Sequence, residues 1–101
     1  MKVLFICNQG KHRSRTAEEL FRVKFQTKSA GLFNENPVTA KQMEWADVVV
    51  VMEDFQRQEI AKRFPSEYMK KRIISFNIPD IYQHNQKELV DILNNKISEL
   101  T

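Results

Sequence analysis

Four valines in a row, Val48 to Val51, stand inside the run Ala46 to Met52, which is apolar but for Asp47. β-Branched side chains lose rotamer freedom in a helix and fit a pleated strand. A strand with one wet face would alternate apolar and polar residues; this run does not, so both of its faces need cover. That is the pattern of a central strand in a parallel sheet with helices above and below. A chain of 101 residues has room for one such sheet and a few helices, so residues 1–101 are expected to form a single domain.

The rest of the chain supplies matching parts. Lys2 to Ile6 is a short apolar run that stops at a glycine-containing stretch and reads as a buried strand. From Ser14 onward, Ala17, Leu20, Phe21 and Phe25 recur at helical spacing, with Glu18 and Glu19 in the early turns where the helix dipole favours acids. Thr27 to Ala30 predicts a second strand closed by Gly31, and Thr39 is placed to cap a short helix running to Trp45. Asp54 to Phe64 predicts a helix ended by Pro65, and Arg72 to Phe76 a fourth strand. Leu89, Val90, Leu93, Ile97 and Leu100 mark the clearest amphipathic helix.

Strands alternating with helices imply right-handed crossovers and an α/β fold of three layers, α/β/α. Ligands of such sheets bind beyond the carboxyl ends of the strands. Cys7 and the segment Asn77 to Tyr82 both fall there, after the first and fourth strands.

Composition narrows the partners. A formal charge of +3 suits anions, but the basic residues are spread along the chain, with no arginine-rich run and no glycine-aromatic RNA-binding pattern, so nucleic acid is not the expected partner. The apolar runs are too short for a signal peptide or a membrane span. Cys7 is the only cysteine, which excludes an internal disulfide and fits a reduced compartment; the expected location is the cytoplasm. One cysteine with the separated His12 and His84 makes no zinc spacing, so no metal is expected.

Five residues, Asn8, Gln9, Gly10, Lys11 and His12, separate Cys7 from Arg13, and Ser14 follows. A loop of that length between a strand and a helix can close as a ring whose backbone N–H groups face inward, with the helix adding its positive end. Arg13 can bridge two phosphate oxygens with its planar fork, which lysine cannot do. A free thiol is only about 3% thiolate at neutral pH, and the same inward field favours the reactive anion. Ser14 is placed to donate to the sulfur. A lone cysteine is more often a small buried hydrophobe; the strand before, the helix after, Gly10 and Ser14 together favour the chemical reading.

A departing alkoxide or phenoxide needs a proton, and Asp80, in Ile78-Pro79-Asp80-Ile81-Tyr82, is the candidate donor. Tyr82 is placed to wall the substrate cleft, unless it packs at the rim. Asp47 before a strand, Glu53 and Asp54 at a helix start, and Asp91 on the polar side of the last helix are poorer acids. Trp45 is assigned to the core.

These residues resemble the low-molecular-weight protein tyrosine phosphatase family over most of the chain and in the family's order. Val3-Leu4-Phe5-Ile6-Cys7 with Arg13-Ser14 is similar to its opening, Ser29-Ala30-Gly31 to its second strand, Trp45-Ala46-Asp47 through Met52 to its third, and Asn77 to Tyr82 to its acid loop. The resemblance implies a four-stranded parallel sheet of order 2-1-3-4, the phosphatase I-like arrangement, and a phosphomonoester hydrolase without cofactor that works through a phosphocysteine. It implies Cys7 as nucleophile, Arg13 as phosphate ligand, Asp80 as acid, and Asn8, Gln9, Gly10, Lys11, His12, Ser14 and Tyr82 around a phosphorylated protein or small phosphomonoester. The chain departs from the family at Gly10, where asparagine is usual, at Arg15 and Ile81, where proline is common, and at His12, where many members carry a second cysteine. Its Gly31 to Ala46 connection is also shorter, which predicts a more open cleft. The rival reading is a non-catalytic phosphate-recognising module on the same scaffold. An arsenate reductase would need further cysteines, and a phosphocarrier domain does not call for Arg13 or Asp80.

Overall fold

The computed structural model describes residues 1–100. Its strands are β1 (Lys2–Cys7), β2 (Gln26–Gly31), β3 (Val48–Val51) and β4 (Arg72–Ser75), all parallel in the order β2-β1-β3-β4. The helices are α1 (Arg13–Phe21), α2 (Ala40–Trp45), α3 (Asp54–Arg63), α4 (Pro65–Lys70) and α5 (Lys87–Lys96), and a 3-10 turn covers Ile97–Leu100. The order 2-1-3-4 puts the valine strand and β1 at the centre, and all four valines are buried.

Alternation along the strands splits the core in two. Val3, Phe5, Cys7, Val48 and Val50 face α1 and α5, meeting Ala17, Phe21, Leu89 and Leu93. Leu4, Ile6, Val49 and Val51 face the other way onto Met43 of α2, Ile60 of α3, Leu32 and Val38. Fully burying one such side chain is worth about 1.5–3 kcal/mol, so each face needs its helices and the sheet is unstable bare. Trp45 lies half-buried on the second face, with Lys28 Nζ 4.5 Å above its ring.

The ends of elements differ from the sequence reading where local chemistry intervenes. Helix α1 stops at Phe21; Phe25 lies beyond it, donates its N–H to the Phe21 carbonyl at 3.1 Å and still packs on the core. Pro65 does end α3, and it also opens α4, a helix absent from the sequence reading, because a missing N–H is harmless at a first helical position. Strand β3 is shorter than the apolar run: the Met52 N–H turns to Gln56 Oε1 at 2.8 Å. Thr39 caps α2 as its sequence predicts, accepting from the Gln42 N–H at 3.2 Å while Gln42 Oε1 accepts from the Thr39 N–H at 3.0 Å. Among the described residues no helix is long and apolar enough to cross a membrane.

Candidate active site

Strand β1 delivers Cys7 to the carboxyl end of the sheet, and α1 begins six residues later at Arg13. The loop between them is held from outside by its carbonyls. Those of Cys7 and Asn8 accept from the Leu32 N–H at 3.0 Å, that of Asn8 also from the Phe33 N–H at 2.9 Å, and that of Gln9 from Asn34 Nδ2 at 2.9 Å. The His12 carbonyl takes the Thr16 N–H and hydroxyl at 3.0 and 2.7 Å. With its carbonyls turned outward, such a loop turns its N–H groups inward, the arrangement of an anion nest.

Gly10 makes the turn possible. Its φ of 71° lies in the left-handed region, and a Cβ there would sit 2.9 Å from the Gly31 nitrogen. Asparagine, usual here in the resembling family, is among the few other residues that enter this region with ease, so the departure keeps the backbone shape. The turn aims the Gly10 N–H at Cys7 Sγ, 3.2 Å away, and Ser14 Oγ stands 3.1 Å from the same sulfur. The buried sulfur therefore accepts from one backbone N–H and has a hydroxyl within hydrogen-bond distance.

Arg13 is buried to 1% exposure and does not reach water. Its Nη1 donates to the Ile78 carbonyl at 2.7 Å and lies 3.1 Å from Glu53 Oε2. Its Nε and Nη2 are buried with no hydrogen-bond partner. An unmade hydrogen bond on a buried guanidinium costs about 1–3 kcal/mol or more, so two vacant donors on one fork call for an anionic ligand that accepts from both. Asp80 Oδ1 approaches Nη2 at 3.7 Å, which places the half-exposed carboxyl at the edge of this site.

The other sequence candidates spread around the rim. Tyr82 is partly buried and packs on the core face that contains Cys7. Asn8 accepts from Gln56 Nε2 at 2.9 Å, so its side chain braces the loop. Gln9, Gly10 and exposed Lys11 line a cleft of about 510 Å³ with Phe33, Asn34, Glu35 and Asn36 from the short connection after β2. His12 is half-buried, and its Nδ1 accepts from the His84 N–H at 3.1 Å.

Two residues of the site escape sequence reading. Glu53, expected only at a helix start, turns its carboxylate onto Arg13. Gln56, fully buried, ties the Met52 and Glu53 N–H groups to Asn8. Glu and Gln three residues apart at a helix start are a visible cap signal, but the reach of Glu53 to Arg13, 40 residues away, and of Gln56 to Asn8, 48 residues away, is not.

Nearly all of the chain superposes on solved structures of phosphatases. A low-molecular-weight protein tyrosine phosphatase from T. tengcongensis aligns over 99% of this chain and 97% of its own, with a TM-score of 0.79 and 18% identity. The fold is that of the low-molecular-weight protein tyrosine phosphatases. The chain is similar as well to the tyrosine phosphatase Wzb from Escherichia coli K30 in complex with phosphate, with a TM-score of 0.78 and 20% identity over 98% of this chain and 94% of that one. The YwlE arginine phosphatase from Geobacillus stearothermophilus aligns over 98% of this chain and 89% of its own, with a TM-score of 0.78 and 19% identity. No protein-family profile and no curated protein sequence matches the chain. The low-molecular-weight phosphatase fold is thus present here at 18–20% identity to these structures.

Proposed function

We propose that the protein is a cysteine-dependent phosphatase that hydrolyses phosphomonoesters through a phosphocysteine. The observation that carries this reading is the pairing of a Cys7 sulfur in contact with the Gly10 N–H and the Ser14 hydroxyl with a buried Arg13 whose Nε and Nη2 lack partners. The fold's neighbours, tyrosine and arginine phosphatases by name, support the same chemistry.

In the first step the Cys7 thiolate attacks phosphorus, the S–P bond forms as the P–O bond breaks, and the leaving oxygen takes the proton of the Asp80 carboxyl. Arg13 and the inward N–H groups hold the charge that spreads over the equatorial oxygens. In the second step water attacks phosphorus, its proton passes to Asp80, and the sulfur leaves as a thiolate stabilised by Ser14. Gln9, Lys11 and His12 frame the bound phosphate, and Tyr82 flanks the leaving group. The substrate is a phosphorylated protein or a small phosphomonoester, and a reduced compartment such as the cytoplasm suits a free thiol nucleophile.

Release of phosphate from 4-nitrophenyl phosphate tests the reading. Cys7→Ser should abolish it, and Asp80→Asn should slow phenyl phosphate hydrolysis by about 10²-fold or more. A Cys7→Ser protein that turns over at the parent rate refutes the mechanism, and a parent that binds phosphate without turnover makes the chain a recognition module.

A further inference from the structure

The segment that bears Asp80 is tied down at two places. Upstream, the buried Ile78 donates its N–H to the Met52 carbonyl at 2.7 Å and gives its carbonyl to Arg13. Downstream, the His84 N–H donates to His12 Nδ1 at 3.1 Å, the His84 ring Nε2 meets Glu19 Oε1 at 2.8 Å, and the Asn85 N–H donates to Thr16 Oγ1 at 2.8 Å. Asn85 makes the turn with a φ of 64°. Glu19 uses its other oxygen for Arg15, whose Nε lies 3.4 Å away. Between the anchors only Pro79 to Gln83 are spanned, and Asp80 is among them.

An exposed histidine–carboxylate contact alone is worth little. Here three contacts from α1 and the cradle loop converge on two adjacent residues just past the acid. His12 and Arg15 are also two of the positions where the chain departs from the pattern it resembles. We propose that His12, Glu19 and His84 form a clasp that holds Asp80 beside the phosphate cradle, and that they are positioning residues for proton transfer to the leaving group. His12 serves as an acceptor, so the neutral ring carries its proton on Nε2.

The kinetic consequence rests on the phosphatase reading, and it depends on the leaving group. Phenyl phosphate needs the proton; 2,4-dinitrophenyl phosphate scarcely does. Glu19→Gln and His84→Ala should each lower kcat/KM for phenyl phosphate by about tenfold, a fraction of the full value of a general acid, and leave the dinitrophenyl ester within about twofold. On an Asp80→Asn background neither change should add a loss, since the clasp acts through that carboxyl. Equal losses on both esters, or losses additive with Asp80→Asn, overturn the proposal.

Amide hydrogen exchange tests the same clasp without turnover. In Glu19→Gln the His84 and Asn85 amides should exchange at least about tenfold faster while those of β1 and β3 stay protected. Unchanged protection at His84 and Asn85 overturns the clasp. A parent inactive on both esters whose variants still show the faster exchange sinks the phosphatase reading and leaves the clasp standing.

Discussion

Arg13 Nη1 lies 3.1 Å from Glu53 Oε2, and this contact decides which face of the guanidinium is left for a ligand. With Nη1 held by Glu53 and by the Ile78 carbonyl, Nε and Nη2 remain as a parallel pair of donors. Glu53→Gln keeps the size and removes the charge. It should weaken inhibition by inorganic phosphate by about tenfold, because Arg13 Nη1 loses a contact that orients the fork, and lower stability by about 1–3 kcal/mol, because a buried cation loses its counter-charge. Phosphate inhibition and urea unfolding measure the two; a variant equal to the parent in both removes Glu53 from the site.

Gly10 carries the shape of the cradle. Gly10→Ala places a Cβ 2.9 Å from the Gly31 nitrogen at a φ of 71°, so the backbone must shift and the N–H on Cys7 Sγ shifts with it. The strain is worth about 1–3 kcal/mol, and kcat/KM should fall by at least about tenfold. Thermal unfolding together with steady-state kinetics checks this, and an alanine variant with parent values would mean the loop has another low-energy form.

Cys7 has no partner for a disulfide, since it is the only cysteine in the chain. Peroxide should carry it from sulfenic to sulfinic acid without an internal disulfide stop. Intact mass should show a gain of two oxygens that tracks lost activity, and added thiol should restore only the early, sulfenic fraction. Full recovery by thiol after prolonged peroxide contradicts this.

The His84 imidazole beside Glu19 holds its carboxyl below the ordinary carboxylate range, and Arg15 adds to the effect. A carboxyl whose native value lies below its unfolded one stabilises the fold above the unfolded value, and that contribution disappears as pH falls through the native one. Acid that protonates Glu19 should therefore loosen the Glu19–His84 contact. A side-chain NMR titration of Glu19 should move upward in His84→Ala; an unchanged midpoint would show that His84 does not hold the carboxyl.

Much of this was legible along the chain because it is local. The unbroken valines announced a doubly covered strand, Thr39 with Gln42 announced a cap, and the Cys7 to Ser14 segment announced a loop between a strand's carboxyl end and a helix. Pro65 was readable as the end of α3 but not as the start of α4, since one residue type serves both ends.

Covalent order by itself determined the alternation of strands and helices, the buried valine core and the ring of atoms around one sulfur, for these depend on neighbours a few residues apart. Only the folded chain decided that Glu53 and Ile78 would grip Arg13, that Gln56 would brace Asn8, and that His84 would settle on His12 and Glu19. Such partners lie 40 to 72 residues apart in the chain, and their meeting follows from strand order and register, which no local periodicity encodes.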